Sequence, residues 1–221
     1  MKKTAHPEPV ALVTGFEPFG GESVNPSWLV AAALDGERIG GLRVRAVQLP
    51  CVFGAALAAL DAALALHRPV LVLALGQAAG RSDFSVERVA INVDDARIAD
   101  NAGARPVDEP IVPGAPAGHF STLPIKAIVV ALRQAGLPAS VSQSAGTFVC
   151  NHVFFGLMDR LAKAGGARGG FMHLPLLPEQ AARAPGQPSL PLATLVDGTR
   201  LVLATAAAVQ VDVRVAAGAV A

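Results

Sequence analysis

The sequence predicts an α/β fold: one domain over residues 1–221, with a central, mostly parallel twisted sheet flanked by helices. Three observations carry that expectation. Residues 70–75 form an unbroken apolar run, Val-Leu-Val-Leu-Ala-Leu, closed by Gly76. Such a run marks a parallel strand with both faces covered by helices. Short apolar runs of this kind alternate along the chain with longer Ala/Leu-rich stretches of helical character, the strand–helix alternation of α/β proteins with right-handed crossovers. Finally, 52% of the 221 residues are hydrophobic and 16% charged, ample for a buried core and incompatible with disorder. The 22 glycines and 17 prolines imply many turns and ordered loops.

In chain order, residues 10–13 form a first buried strand ending at Thr14-Gly15. A loop with Pro18, Gly20 and Gly21 comes next. Asn25-Pro26 opens a helix to about Leu34, with Asn as N-cap and Pro at the first helical position. Val44, Ala46 and Leu49 mark a second strand. Residues 53–67 are helical, stopped by Pro69, and lead into the run at 70–75. Residues 86–93 alternate as another strand. Residues 94–118 read as a long loop, longer than ordinary connections and for that reason a candidate for function. A helix over 124–134, a brief strand at Val141, a helix within 148–163 and a strand over 170–174 come next. After a Pro-rich stretch at 175–191, a last helix covers about 192–209. There is no internal repeat and no linker.

The charge balance is +1, with no block of like charge. Nucleic-acid and anionic-membrane binders carry basic stripes, so neither partner is expected. Met1-Lys2-Lys3-Thr4-Ala5 resembles a signal start, but His6, Pro7, Glu8 and Pro9 interrupt the apolar region that a signal requires. The longest greasy stretch, 201–209, is well short of the ~20 residues that span a bilayer. Cys51 and Cys150 make no disulfide framework, and two thiols in a chain of this size suit the cytoplasm. No G-x-G-x-x-G, no P-loop Lys-Ser/Thr and no H-E-x-x-H is present, so neither dinucleotide nor metal chemistry finds a motif.

Cys150 is the informative residue. Ser144-Ala145-Gly146-Thr147-Phe148-Val149-Cys150-Asn151-His152 runs from a short strand into a helix, which sets the thiol near a helix N-terminus. The partial positive charge there lowers a thiol pKa from ~8.5. The competing reading is a small buried hydrophobe, the commoner fate of a free Cys, and Cys51 between Pro50 and Val52 fits it better. A thiol nucleophile needs a proton acceptor, usually His. His6 lies in the terminus, His67 closes a helix and His119 comes after Gly118 in a turn. His152 is two residues from Cys150, a rotation of ~200° on a helix, and so points elsewhere. His173 ends an apolar strand, where catalytic groups of parallel sheets gather. Glu87, in Val86-Glu87-Arg88-Val89-Ala90-Ile91-Asn92, is the candidate to orient it. A carboxylate within a strand is costly to bury unless paired; an ion pair with Arg88 or a solvated face is the plainer alternative.

Several segments, in one order, resemble the pyroglutamyl peptidase I (pyrrolidone-carboxylate peptidase) family of cysteine peptidases. They are Thr14-Gly15-Phe16-Glu17-Pro18-Phe19-Gly20-Gly21 with Asn25-Pro26-Ser27; Gly76-Gln77-Ala78-Ala79-Gly80-Arg81; Glu87 to Asn92; Ala96-Arg97-Ile98; Ala145 to His152; and Gly170-Phe171-Met172-His173-Leu174-Pro175 with Pro178-Glu179-Gln180. The resemblance covers about residues 10–180. It implies an α/β fold and a Glu, Cys, His triad that falls on Glu87, Cys150 and His173. It adds the Arg97 side chain to the Cys150 backbone N–H as oxyanion donors and points to a substrate pocket at Phe16, Phe19 and Phe148, where the Gln77 backbone can supply the lactam's hydrogen bonds and Val149 is a further substrate-binding candidate. It also implies a homotetramer, with no metal or organic cofactor. Two departures are mild: Ala79 stands where the family commonly has Gly, and Cys51 where it often has a pocket-facing Thr.

The reading is a cytoplasmic cysteine exopeptidase that hydrolyses the N-terminal pyroglutamyl residue from peptides through a thioester acyl-enzyme. Two rivals are a nucleoside phosphorylase-like enzyme on a similar fold and a non-catalytic small-molecule-binding protein. The first would need a phosphate site, for which Gly20-Gly21 and Arg81 are the candidates. The second has no use for Glu87, Cys150 and His173 together.

Overall fold

A computed structural model describes residues 8–218 of the chain; the Met1-to-Ala5 stretch and His6 lie outside them. Seven strands form one sheet: β1 (Val10–Phe16), β2 (Arg38–Ile39), β3 (Leu42–Leu49), β4 (Leu71–Gln77), β5 (Phe84–Glu87), β8 (Ala139–Ser142) and β9 (Arg168–Leu174). Their spatial order is β2-β3-β1-β4-β9-β5-β8. The core strands β3, β1, β4 and β9 are mutually parallel. β2 runs antiparallel to β3 and β5 antiparallel to β9, while β8 pairs parallel to β5. The sheet is therefore mixed but mostly parallel, as the apolar runs of β1 and β4 require.

Helices cover both faces. On one lie α1 (Pro26–Leu34), α3 (Ile125–Gln134) and α6 (Leu192–Ala208), packed over Val13, Leu73, Val86 and Met172. On the other lie α2 (Ala55–His67) and α4 (Val149–Ala164), packed over Leu12, Val72, Ala74 and Phe171. Alternate residues of β4 and β9 feed opposite cores, the period-2 consequence of a strand covered twice. Asn25 caps α1 through its side chain, which accepts from Ser27 N–H at 3.1 Å. Such a cap contributes about 1 kcal/mol. Gly15 lets α1 start directly against β1: a Cβ there would come within 2.3 Å of the Ser27 carbonyl oxygen.

The expected strand over 86–93 is two strands in two sheets. β5 ends at Glu87, and β6 (Val89–Ile91) pairs instead with β7 (Gly118–Phe120) in a small antiparallel ribbon. Arg88 is the crossing point. Its N–H donates to the Ser142 carbonyl beside β5, while its own carbonyl accepts from Ser121 next to β7. A continuous alternating pattern carries no mark of such a change of partner. The Pro-rich stretch contains a short helix, α5 (Pro178–Ala181), held by Gln180, whose side chain accepts from the Leu177 N–H. The 94–118 loop is ordered by its own bonds, including the Asp94–Glu109 bridge and an Asn92 side chain that clasps Val112. Among the described residues, no helix is long and apolar enough to cross a membrane.

Candidate active site

His173 lies near the carboxyl end of β9, and its neighbours are fixed by register. It pairs with Gly76 on β4 and with Ser85 on β5. Glu87 is two residues beyond Ser85, so its side chain emerges on the same face as that of His173. The two meet there: His173 Nδ1 lies 2.7 Å from Glu87 Oε1, with both residues buried. A carboxylate at Nδ1 takes that proton as a hydrogen bond and leaves Nε2 as the basic nitrogen.

Cys150 comes to this face from above. It is the second residue of α4, whose N-cap, Phe148, supplies no side-chain hydrogen bond. The Cys150 amide sits in the first turn, where N–H groups have no intrahelical partner. The sulfur lies over the β4–β9 pair: a Cβ added at Gly76 would fall 2.9 Å from Cys150 Sγ and 2.8 Å from Phe171 Cζ. Only a residue without a side chain lets the thiol reach the strand position that pairs with His173. Gly76→Ala is therefore expected to lower kcat/KM by at least ~10²-fold, the scale of an ångström-sized misplacement of reacting groups. Steady-state assays of that variant beside the wild type check it; full activity would mean the sulfur has slack.

The helix start is pinned from several sides. Asn151 exchanges hydrogen bonds with the Ile91 backbone and donates to the Val93 carbonyl. Thr147 and Asp95 bond each other twice, tying the long loop to the residues just before Cys150. His152 turns away from Cys150, as their two-residue spacing on α4 requires. Its Nδ1 lies 2.7 Å from Asp94 Oδ2, and its Nε2 accepts from Gly54 N–H at the start of α2.

The electrostatics differ from the sequence expectation in one respect. The helix terminus does not leave Cys150 with a low pKa. Burial pushes the thiol well above its ordinary range; Cys51 and Glu87 push the same way, and Arg81 opposes them. Desolvation by the surrounding protein is the largest influence on the thiol, although Cys150 is only partly buried. Burial lowers the His173 pKa, against the Glu87 hydrogen bond that raises it. Both shifts favour the uncharged thiol and the uncharged imidazole, a base free to accept a proton. Cys51 is also pushed up, to about 12, by burial and by the Glu17 and Asp100 carboxylates.

In front of Cys150 lies a narrow cleft lined by Phe16, Phe19, Asn25, Cys51, Gln77, Phe148 and Cys150. It brings together four of the five residues expected for the substrate. The fifth, Val149, is fully buried in the core under α4. Phe148 stacks at a tilt on Phe19, with ring centroids 6.2 Å apart, and edge-on against Phe53 at 5.4 Å. Phe16 forms the floor and is 2% exposed. Glu17 carries no substrate-facing role in this arrangement: its carboxylate accepts from Cys51 N–H and the Asn101 side chain, bracing the cleft wall. Arg97 is exposed on the long loop, two residues beyond Asp95.

Two contributors are not apparent in the sequence. Asn25 both caps α1 and lines the cleft, and its capping role masks the second. Arg81, a candidate for phosphate, instead lies 3.0 Å from Glu87 Oε1 and donates to the Ser144 carbonyl. Among the described residues, no cluster of three or more His, Cys, Asp or Glu is placed to hold a metal ion.

The sequence matches the family model described as pyroglutamyl peptidase over residues 10–210. It is 64% identical to a pyrrolidone-carboxylate peptidase of Cupriavidus taiwanensis over 208 residues, covering 93% of this chain and 96% of that protein. It is 58% identical to the pyrrolidone-carboxylate peptidase of Escherichia fergusonii, covering 94% and 97%. Among solved structures, pyroglutamyl peptidase I from Bacillus amyloliquefaciens superposes with a TM-score of 0.91 at 45% identity, covering 93% of this chain and all of that one. A pyrrolidone carboxyl peptidase variant from the hyperthermophile Pyrococcus furiosus superposes with a TM-score of 0.86 at 43% identity, covering 89% and 97%.

Proposed function

The chain belongs to the pyroglutamyl peptidase family, and from that premise we propose how its own residues remove an N-terminal pyroglutamate. Cys150 is the nucleophile, His173 the general base and acid, and Glu87 the group that orients His173. The observation that carries this assignment is the buried Glu87–His173 pair with the Cys150 sulfur over Gly76, the strand partner of His173, beside a cleft lined by no charged side chain.

The lactam ring enters the cleft between Phe16, Phe19 and Phe148, and amide groups at Gln77 take its hydrogen bonds. Val149 takes no part in this pocket, since its side chain is buried in the core. His173 Nε2 accepts the thiol proton as Cys150 Sγ attacks the carbonyl that joins pyroglutamate to the next residue. The carbonyl π pair moves to oxygen. The oxyanion is met by the Cys150 amide and by Arg97, on a loop tied to Thr147 three residues before the nucleophile. The C–N bond then breaks, and the imidazolium returns its proton to the departing amine. Water, activated by the same imidazole, hydrolyses the thioester and releases pyroglutamate. The attack and the hydrolysis need His173 uncharged, which burial of the imidazole favours by lowering its pKa, and expulsion of the amine uses the proton gained in the attack.

The enzyme is proposed to act as a single-domain, cytoplasmic protein on pyroglutamyl peptides, without metal or organic cofactor; the family resemblance supports a homotetramer. The phosphorylase alternative loses its one cationic candidate, since Arg81 is already engaged by Glu87 and Ser144. The test is cleavage of a chromogenic pyroglutamyl amide, abolished by a thiol alkylator and indifferent to phosphate. Within this mechanism, Glu87→Gln should reduce kcat more than it raises KM, because the carboxylate acts on His173 and not on the ring. An unchanged kcat would reduce Glu87 to a structural ion-pair partner.

A further inference from the structure

We propose that Arg81 is a positioning residue for the reaction: it shares one carboxylate oxygen of Glu87 with His173, and its charge keeps His173 available as a free base at neutral pH. This rests on the triad assignment above. Glu87 Oε1 receives both His173 Nδ1, at 2.7 Å, and Arg81 Nη1, at 3.0 Å. Among the described residues, Oε2 has no hydrogen-bond partner, although it is buried. The bonding of the carboxylate is thus concentrated on the single oxygen that faces both the guanidinium and the imidazole.

The charges explain why. Glu87 is fully enclosed, while Arg81 reaches it from a loop with a quarter of its side chain exposed. A buried carboxylate without a counter-charge is strongly destabilising. Were Arg81 absent, the nearest group able to supply a positive charge would be His173, by holding a proton. A protonated His173 cannot accept the thiol proton of Cys150. With Arg81 in place, the carboxylate is neutralised while the imidazole stays uncharged. The charged and titratable groups around His173 are Glu87 from β5, Cys150 from α4 with Cys51 beyond it, and Arg81 from the loop after β4. Arg81 lowers the pKa of both His173 and Cys150, which favours the neutral base and the incipient thiolate together.

Arg81 also donates through Nη2 to the Ser144 carbonyl at 3.0 Å, so it ties the segment leading to the nucleophile to the triad's carboxylate. A purely structural tether would act through that bond alone, and the experiment separates the two roles. The pH dependence of kcat/KM on a pyroglutamyl amide is measured for wild type, Arg81→Gln and Arg81→Lys. Loss of the cation should move the acid limb of Arg81→Gln to higher pH by at least about half a unit, so that kcat/KM falls at and below the limb while KM is little changed. Arg81→Lys, which keeps the charge, should hold the limb near wild type. The rate of Cys150 alkylation by iodoacetamide against pH is a second readout that needs no turnover, and Arg81→Met replaces Arg81→Gln if the latter does not fold. An acid limb that stays in place when the charge is removed overturns the role of Arg81, even if stability falls. A wild type that does not cleave the amide overturns instead the triad reading on which it rests.

Discussion

Cys150→Ser is expected to abolish turnover of pyroglutamyl amides, by ~10⁴-fold or more in kcat/KM, while leaving the fold intact; Cys51→Ser should stay within several-fold of wild type. The magnitude reflects loss of the group that forms the covalent intermediate, since members of a nucleophile–base set act as a unit. The contrast between the two cysteines does not come from acidity, because burial pushes both thiols up. It comes from placement. Both line the cleft, but only Cys150 lies over the strand pair that carries His173, and only its amide is a free donor of a helix start. Cys51 is held by its backbone N–H on Glu17 and offers a wall. The substitution replaces one sulfur by oxygen, so little packing is lost and thermal unfolding should be close to that of wild type. A dead Cys51→Ser with an active Cys150→Ser would reverse the nucleophile assignment.

Much of this site is legible in the sequence because its residues sit at punctuation points. Asn25-Pro26 marks a helix start, Gly76 a strand end, and Gly146 the turn into α4; the chemistry-bearing residues lie close to these marks. Glu87, Cys150 and His173 emerge on asking which carboxylate, thiol and imidazole reach the carboxyl ends of strands or the start of a helix. The features that stay hidden depend on partners distant in sequence. The run through Glu87 to Ile91 alternates without a break, yet it leaves one sheet for another at Arg88, because the bonds that divide it come from Ser142 and Ser121. The antiparallel insertion of β5 beside β9 also has no local signature. Yet that pairing sets Ser85 opposite His173 and so puts Glu87 within reach of it. The contact of Arg81 with Glu87 is invisible for the same reason: neighbouring Arg88 is the nearer cation in sequence, but its side chain turns to Gln143 and the Ala217 carbonyl. A helix terminus can be read from sequence, whereas the desolvation that pushes the Cys150 thiol up comes from segments distant in the chain.

Glutamyl amides should be cleaved at least ~10³-fold less efficiently than pyroglutamyl amides, a discrimination set by the cleft and not by the triad. The closed lactam is flat and uncharged. The side chains around its site are three aromatic rings, two thiols and the amides of Asn25 and Gln77, none of them charged. Open-chain glutamate brings an ammonium and a carboxylate, and burying either without a partner costs several kcal/mol. Glu17 is near, but its carboxylate is already committed to Cys51 N–H and Asn101, so it offers the ammonium little. Rejection by an unpaired buried group is the mode that reaches large ratios without editing. The aromatic contribution is best tested at Phe19. Phe16→Ala does not isolate it: Phe16 is 2% exposed within the core under the cleft, and its removal should cost about 3–5 kcal/mol of stability. Phe19 is only half-buried and packs on Phe148. Phe19→Ala should raise KM for pyroglutamyl substrates severalfold, with kcat and thermal stability much less affected. Paired chromogenic amides of glutamate and pyroglutamate, assayed on wild type and Phe19→Ala, check both claims. Comparable cleavage of the two amides by the wild type would mean that water or an unrecognised counter-charge reaches the cleft, and the uncharged pocket would then not be the source of specificity.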